Sequence, residues 1–271
     1  MTGPVKVGLA LSGGGSRGMA HIGVIKVLVK NGIPINFISG ASAGAMIGGI
    51  FASGTSIDEI ENAVIKMKNR DIARLIDPGR PSFGFVKGNK LMKFISQLLK
   101  EKNIENFKIP FAAVATDILT GDEIIFDKGD AVSAIRASIS FPGVFSPVKF
   151  EQTFLVDGGV VNPLPVDVVQ DMGADVIIGV SVLGQPETKI DLKKQNIASS
   201  QVIINTIRIL EKKIVDLKFQ KVKDRNIVIL KPKVGNISTF SMSSKSLLQA
   251  IKEGEKEANE KIDDIIKLVG K

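Results

Sequence analysis

Gly40-Ala41-Ser42-Ala43-Gly44 lies between a short apolar run, Ile35 to Ser39, and a small-residue segment of helical character, Ala43 to Ala52. A serine flanked at two-residue spacing by glycines in that setting is the pattern of a nucleophile elbow. There the chain turns sharply from strand into helix and holds the hydroxyl clear of its neighbours. Gly40 and Gly44 suit such a turn because a Cβ at either position would strike the adjoining strand or helix. The same rhythm occurs just upstream. Val5 to Leu11 is a compact apolar run ending in Ser12-Gly13-Gly14-Gly15, and Arg17 to Lys30 follows with Ile22, Ile25 and Val29 at helical spacing. Asn31-Gly32-Ile33-Pro34 closes that helix with turn residues. The first 50 residues therefore read as β-α-β-α, which predicts an α/β fold with parallel strands covered by helices.

Further along, Ser56 caps a helix, Asn89 to Lys100 forms another, and strands follow at Pro110 to Ile118 and Glu123 to Phe126. Ala131 to Ile139 reads as helix, and Phe154 to Val156 as an apolar run leading into Asp157-Gly158-Gly159. Asp175 to Leu183 is nearly all apolar, as a strand buried on both faces must be. An amphipathic stretch (Val202 to Phe219), a strand (Ile227 to Leu230) and a terminal helix (Ser246 to Val269) complete the chain. With no internal repeat or linker, 1–271 is expected to be a single domain.

The chain of 271 residues is 44% hydrophobic, enough for a large core without disulfides, and it contains no Cys. Its longest apolar segment, Gly40 to Gly54, is too short and too glycine-rich to span a bilayer, and Met1 to Gly13 lacks a signal-peptide core. A cytoplasmic protein is the expectation. From Lys193 to Lys233 there are eleven Lys and Arg against Glu211, Asp216 and Asp224, a surplus equal to the whole formal charge of +8. Such a segment is either a solvated helix face or a contact for an anionic surface. No nucleic-acid motif accompanies it, so nucleic acid is not expected as a partner.

Gly13-Gly14-Gly15-Ser16-Arg17-Gly18 fits the dinucleotide-binding pattern, yet the acid expected about 20 residues on is missing, since the first acidic residue is Asp58. A P-loop fails too, with Met19-Ala20 where Lys and Ser or Thr belong. A glycine loop at a helix N-terminus beside a serine nucleophile has another use. Its amides, backed by the helix dipole, meet the negative charge of a tetrahedral oxyanion. The serine also needs a base, and no histidine follows Ser42; His21, the only one, lies upstream and is expected to pack or cap locally. Asp157, at a strand end before two glycines, is the best remaining acceptor, with an ordinary Asp-Gly turn as the competing reading.

In order, Gly13 to Gly18, Gly40 to Gly44 and Asp157 to Gly159 resemble the oxyanion loop, the elbow and the Asp-Gly-Gly/Ala motif of patatin-like phospholipases. The resemblance takes in Arg136-Ala137-Ser138 and Phe141 to Pro147 and covers roughly residues 5 to 185; the part from 186 to 271 is less recognisable. It implies a three-layer α/β/α sandwich with a mostly parallel central sheet, and a Ser42–Asp157 dyad attacking an acyl ester. Gly13, Gly14 and Gly15 would stabilise the oxyanion, Arg17, Gly18, Gly40, Gly44, Gly158 and Gly159 complete the motifs, and neither cofactor nor metal is needed. The implied substrate is a lipid or phospholipid ester. Phe83, Phe85, Phe141, Phe145 and the Val202 to Phe219 stretch are candidates to line an acyl tunnel or touch a membrane. The basic segment is a candidate for peripheral contact with anionic lipid on the inner membrane face. The competing functions are a non-enzymatic regulatory or membrane-interaction protein on the same fold, and a dinucleotide-binding protein.

Overall fold

Val7, Leu9 and Leu11 turn to one side of the first strand and Gly8 and Ala10 to the other, and all five are buried. A strand covered on both faces must sit at the middle of a layered structure. The computed structural model describes residues 4–79, 86–183, 199–221, 226–241 and 243–270. In chain order these form β1 (Val7–Leu11), α1 (Ala20–Lys30), β2 (Phe37–Ala41), α2 (Ala43–Ala52), α3 (Ile57–Ile65), α4 (Asn69–Arg74) and α5 (Asn89–Leu98). There follow β3 (Phe111–Asp117), β4 (Glu123–Phe126), α6 (Ala131–Ser138), β5 (Val148–Phe150), β6 (Thr153–Asp157) and α7 (Val166–Asp171). Last come β7 (Val176–Val180), α8 (Ser199–Lys221), β8 (Ile227–Leu230) and α9 (Ser244–Val269).

The strands make one sheet in the order β5-β6-β3-β2-β1-β7-β8, with β4 paired to β3. From β3 through β2, β1 and β7 to β8 every pairing is parallel; on the far side the pairings of β4 and of β6 with β3, and of β5 with β6, are antiparallel. In register, Leu9 lies between Ile38 and Ile178. One face carries the main core, built with α1, α2 and α9, while Ala10 and Ile177 meet Leu164, Val166, Val169 and Val215 of the α7 and α8 layer on the other. The predicted three-layer sandwich is thus the architecture observed.

Strand β2 begins and ends two residues later than the apolar run suggests, so Gly40 and Ala41 are its last residues and Ser42 follows directly. The expected helix from Arg17 divides into a tight 3-10 turn, Gly15–Met19, and α1 proper. The region beyond residue 185 is integral to the site's support. Strand β8 extends the sheet beside β7, and α9 packs so closely on α1 that a Cβ added to Gly254 would lie 2.0 Å from the Ala20 carbonyl oxygen.

Candidate active site

Ser42 stands between β2 and α2 with φ 53° and ψ −120°, a left-handed conformation that non-glycine residues avoid. Close backbone contact holds it there. A Cβ on Gly44 would sit 2.1 Å from the Leu11 carbonyl oxygen, and one on Gly40 would sit 2.4 Å from the Ala45 amide nitrogen, so the turn closes only with glycine at both positions. The Ser42 amide donates to Ser138 Oγ at 2.9 Å, which gives the Arg136-Ala137-Ser138 segment its role. As N-cap of α2, Ser42 faces the positive end of that helix.

Asp157 ends β6. Its amide donates to the Ser140 carbonyl at 3.0 Å and its carbonyl accepts from Thr116 Oγ1 at 2.9 Å, which fixes the backbone from two sides. Its Oδ2 accepts from Ser42 Oγ at 2.5 Å and its Oδ1 from the Gly159 amide at 2.8 Å. Burial raises the carboxyl to about 6 against the pull of the Ser42 and Gly159 hydrogen bonds and of the Arg208 charge. A Cβ on Gly158 would lie 2.1 Å from the Val114 carbonyl oxygen, so the first glycine after the acid lets the chain turn against β3.

The glycine loop leaves β1 beside the elbow. The Gly13 amide donates to the Pro163 carbonyl at 3.1 Å, so it is engaged and cannot serve as an oxyanion donor; Gly13 instead passes close to Ser42, where a Cβ would come within 3.3 Å of the serine Cβ. The amides of Gly14 and Gly15 have no acceptor among the described residues. Gly18 packs against Ala43 at the start of α2. Arg17 is buried and its Nε donates to the Ile237 carbonyl at 2.6 Å, while the Ser16 amide donates to the Thr239 carbonyl at 2.8 Å and Ser16 Oγ to the Ser241 carbonyl at 2.8 Å. The segment 237–241 therefore clamps the loop from outside. His21 is buried, its Nε2 donates to the Ser12 carbonyl at 2.9 Å, and burial lowers its pKa to about 4. It braces the loop as a neutral ring, and among the described residues Ser42 has its side-chain hydrogen bond with Asp157 and none with His21.

Two charged residues of the site lie beyond the recognised motifs. Arg208 and Glu211 face inward from α8, 5% and 2% exposed, joined by an Nη1 to Oε2 ion pair of 2.9 Å. Glu211 reaches Asp157 across Gly159, since a Cβ on Gly159 would meet Glu211 Oε1 at 2.6 Å and Asp157 Oδ1 at 3.0 Å. Burial raises Glu211 to about 7, with Asp157 pushing the same way and Arg208 opposing. The Arg208 guanidinium stacks on Phe141 at 5.1 Å. No local signal marks this pair in the sequence, because two charges in a basic amphipathic stretch read as solvated.

Ser42 opens onto a cavity of about 470 Å³. Near the serine its wall includes Gly15 and Arg208; deeper in, Ile47, Ile50, Ile60, Ile95 and Leu98 make it apolar. Phe141 and Phe145 line it, while Phe83 and Phe85 fall outside the described residues. Of the Val202 to Phe219 stretch, Arg208 contributes to the wall. This arrangement can present a carbonyl carbon to Ser42, accept the serine proton on a buried carboxylate, place loop amides near the resulting oxyanion and shelter an apolar chain.

The sequence profile described as patatin-like phospholipase matches residues 9–169. An uncharacterized NTE family protein of Mycobacterium tuberculosis is 40% identical over 179 residues, 66% of this chain and 49% of that protein. A protein named lysophospholipase NTE1 from Scheffersomyces stipitis is 34% identical over 180 residues, 65% of this chain and 12% of its own length. These matches span about half or less of the curated relatives. Among solved structures, VipD from Legionella pneumophila aligns with a TM-score of 0.54 at 13% identity, over 96% of this chain and 67% of that one. The type III effector protein ExoU aligns with a TM-score of 0.51 at 13% identity, over 97% and 53%. At that identity the likeness is one of fold.

Proposed function

The chain belongs to the patatin-like phospholipase family, and from that premise we propose that it is a serine hydrolase of lipid carboxylic esters working through a Ser42–Asp157 dyad. The observation that carries the reading is the 2.5 Å hydrogen bond from Ser42 Oγ to a buried carboxylate at the head of an apolar cavity. In the first step Ser42 Oγ attacks the ester carbonyl carbon while its proton passes to Asp157 Oδ2. The oxyanion formed takes hydrogen bonds from the Gly14 and Gly15 amides. Collapse breaks the bond to the alcohol oxygen, which leaves with the proton returned by Asp157. Water then attacks the acyl-serine with Asp157 again as base, releasing the fatty acid and restoring Ser42.

A long acyl chain fits the apolar depth of the cavity, with the leaving alcohol toward its polar mouth. The lysophospholipase name of the Scheffersomyces relative supports a single-chain phospholipid ester as substrate. Among the described residues no helix is long and apolar enough to cross a membrane. A cytoplasmic setting with peripheral contact to anionic lipid is part of the same proposal.

Labelling with a fluorophosphonate probe, followed by lipid-panel hydrolysis read by mass spectrometry, tests it. Wild type is expected to be labelled and to release fatty acid, and Ser42→Ala to do neither. Asp157→Asn is expected to fold with at least a 100-fold slower turnover of p-nitrophenyl esters, the scale on which acid–base groups contribute. Turnover by Ser42→Ala, or wild-type rates in Asp157→Asn, would remove that residue from the mechanism.

A further inference from the structure

Helix α8 is built inside out. At about 100° per residue, Val202, Ile203, Ile209, Leu210 and Leu217 fall in one arc of the helix, and all five are 48% to 58% exposed. The opposite arc, which faces the protein, carries Arg208, Glu211 and Lys218 beside Val215; Lys218 Nζ pairs with Asp167 Oδ2 at 2.5 Å. A surface helix ordinarily turns its apolar stripe to the core and its charges to water. Here the charges are engaged at the dyad and at α7, and five aliphatic side chains on a single helix are left facing outward.

We propose that this stripe is a docking surface for a phospholipid membrane bearing anionic head groups. The inference rests on the lipid-ester reading for its choice of a membrane, and goes beyond it in naming the element that makes contact. Lys213 lies within the exposed arc, with the exposed Asp216 at one margin and the half-exposed Lys212 beyond it, so a cationic group sits among the aliphatic ones as on an interfacial helix. The inward arc of the same helix reaches the cavity wall. Arg208 stacks on Phe141, Phe141 meets Phe240 edge to face at 5.7 Å, and Phe240 is a partly exposed residue of the cavity wall.

The test is flotation of the full chain with vesicles of phosphatidylcholine, with or without phosphatidylglycerol, using Ser42→Ala so that no lipid is consumed. Ser42→Ala is expected to float with the phosphatidylglycerol vesicles. Adding Ile203→Gln, Leu210→Gln and Leu217→Gln together is expected to reduce flotation at least ten-fold. The same three changes in a Ser42 background should leave the melting temperature and the turnover of a soluble short-chain ester unaltered. Lys212→Gln with Lys213→Gln should weaken the preference for phosphatidylglycerol.

Flotation of the triple variant at the parent level overturns the proposal, as does absence of flotation in the parent. Equal flotation on phosphatidylcholine alone overturns its anionic part. A dimer in sedimentation that the triple variant dissociates, without any change in flotation, would assign the stripe to a second copy instead. Stripe-dependent flotation by a chain that neither takes the probe nor turns over esters would leave docking standing while the hydrolase reading falls.

Discussion

In the proposed dyad Asp157 takes a proton from a serine with no imidazole between them, so what sets its ionisation bears on the rate. Burial lifts it to about 6, above the ordinary aspartate range. In that mechanism the ionised form is the base, and activity is therefore expected to fall as pH drops through about 6, where the carboxyl gains its proton. Arg208 draws that value down, whereas Glu211, itself raised to about 7, is mostly neutral where Asp157 titrates. Glu211→Gln, which replaces one neutral group by another at that pH, should leave the acidic limb of the kcat/KM profile in place, whereas Arg208→Gln, which removes a positive charge, should move it up by about one pH unit. A profile unmoved in Arg208→Gln would mean that the pair is structural and electrically silent at the proposed dyad. The pair is itself buried, and losing one member of such a pair costs about 3 to 5 kcal/mol, so a thermal melt of each variant should accompany its profile.

At the scale of elements, the decisive contacts are places where backbone meets backbone. Helix α9 approaches α1 at Gly254 and at Gly23, where an added Cβ would lie 2.1 Å from the Ile251 carbonyl oxygen. Gly254→Val forces these helices apart, and overpacking of this kind destabilises by about 1 to 3 kcal/mol or more. The glycine loop leads directly into α1 and is clamped by 237–241, just before α9. The variant is thus expected to lose fluorophosphonate labelling at a temperature below that at which its helical signal melts. Coincident loss of both signals would show that the contact stabilises the fold without specifically ordering the loop.

What the sequence discloses at this scale follows from how local each constraint is. The strand-turn-helix around Ser42 is written within five residues, because the tight turn and the close approaches are made by the same glycines that mark it. Hydrophobic spacing likewise places β1, β3, β7, α1 and α9. Short pieces such as α4, α7 and β5, of six, six and three residues, are too brief to show a period. For α8 the spacing reveals a stripe but not which side of it faces the core. Arg208 and Glu211 point inward because Asp157, Gly159 and Phe141, all at least 49 residues earlier in the chain, form their surroundings, and no pattern within the helix carries that information. The Gly13 amide is engaged for a similar reason, since Pro163 is its acceptor.

For the molecule as a whole, the family match ends at residue 169 while the site does not. Arg208 and Glu211 come from α8, the clamp on the glycine loop from 237–241, and the cover over α1 from α9. A chain ending at Leu183 keeps Ser42, Asp157 and every recognised motif. It would also uncover one edge of β7 and a large part of the main core, including the contacts of Ile251, Ala258 and Ile265. Such a chain is expected to show no cooperative thermal transition and no probe labelling. A cooperative melt with labelled Ser42 would show that the motif-bearing part is self-sufficient.

The hold on the elbow also predicts where the chain can vary. Gly40 and Gly44 are fixed by peptide atoms of β1 and α2, which no change of rotamer can move aside. The cavity wall, in contrast, includes the pliable side chains of Met19, Met46 and Met67. A saturation library selected on unfamiliar acyl esters should therefore enrich replacements at these methionines and return almost none at the two glycines. New chain-length preferences would be reached by recarving the wall around a serine whose position stays the same.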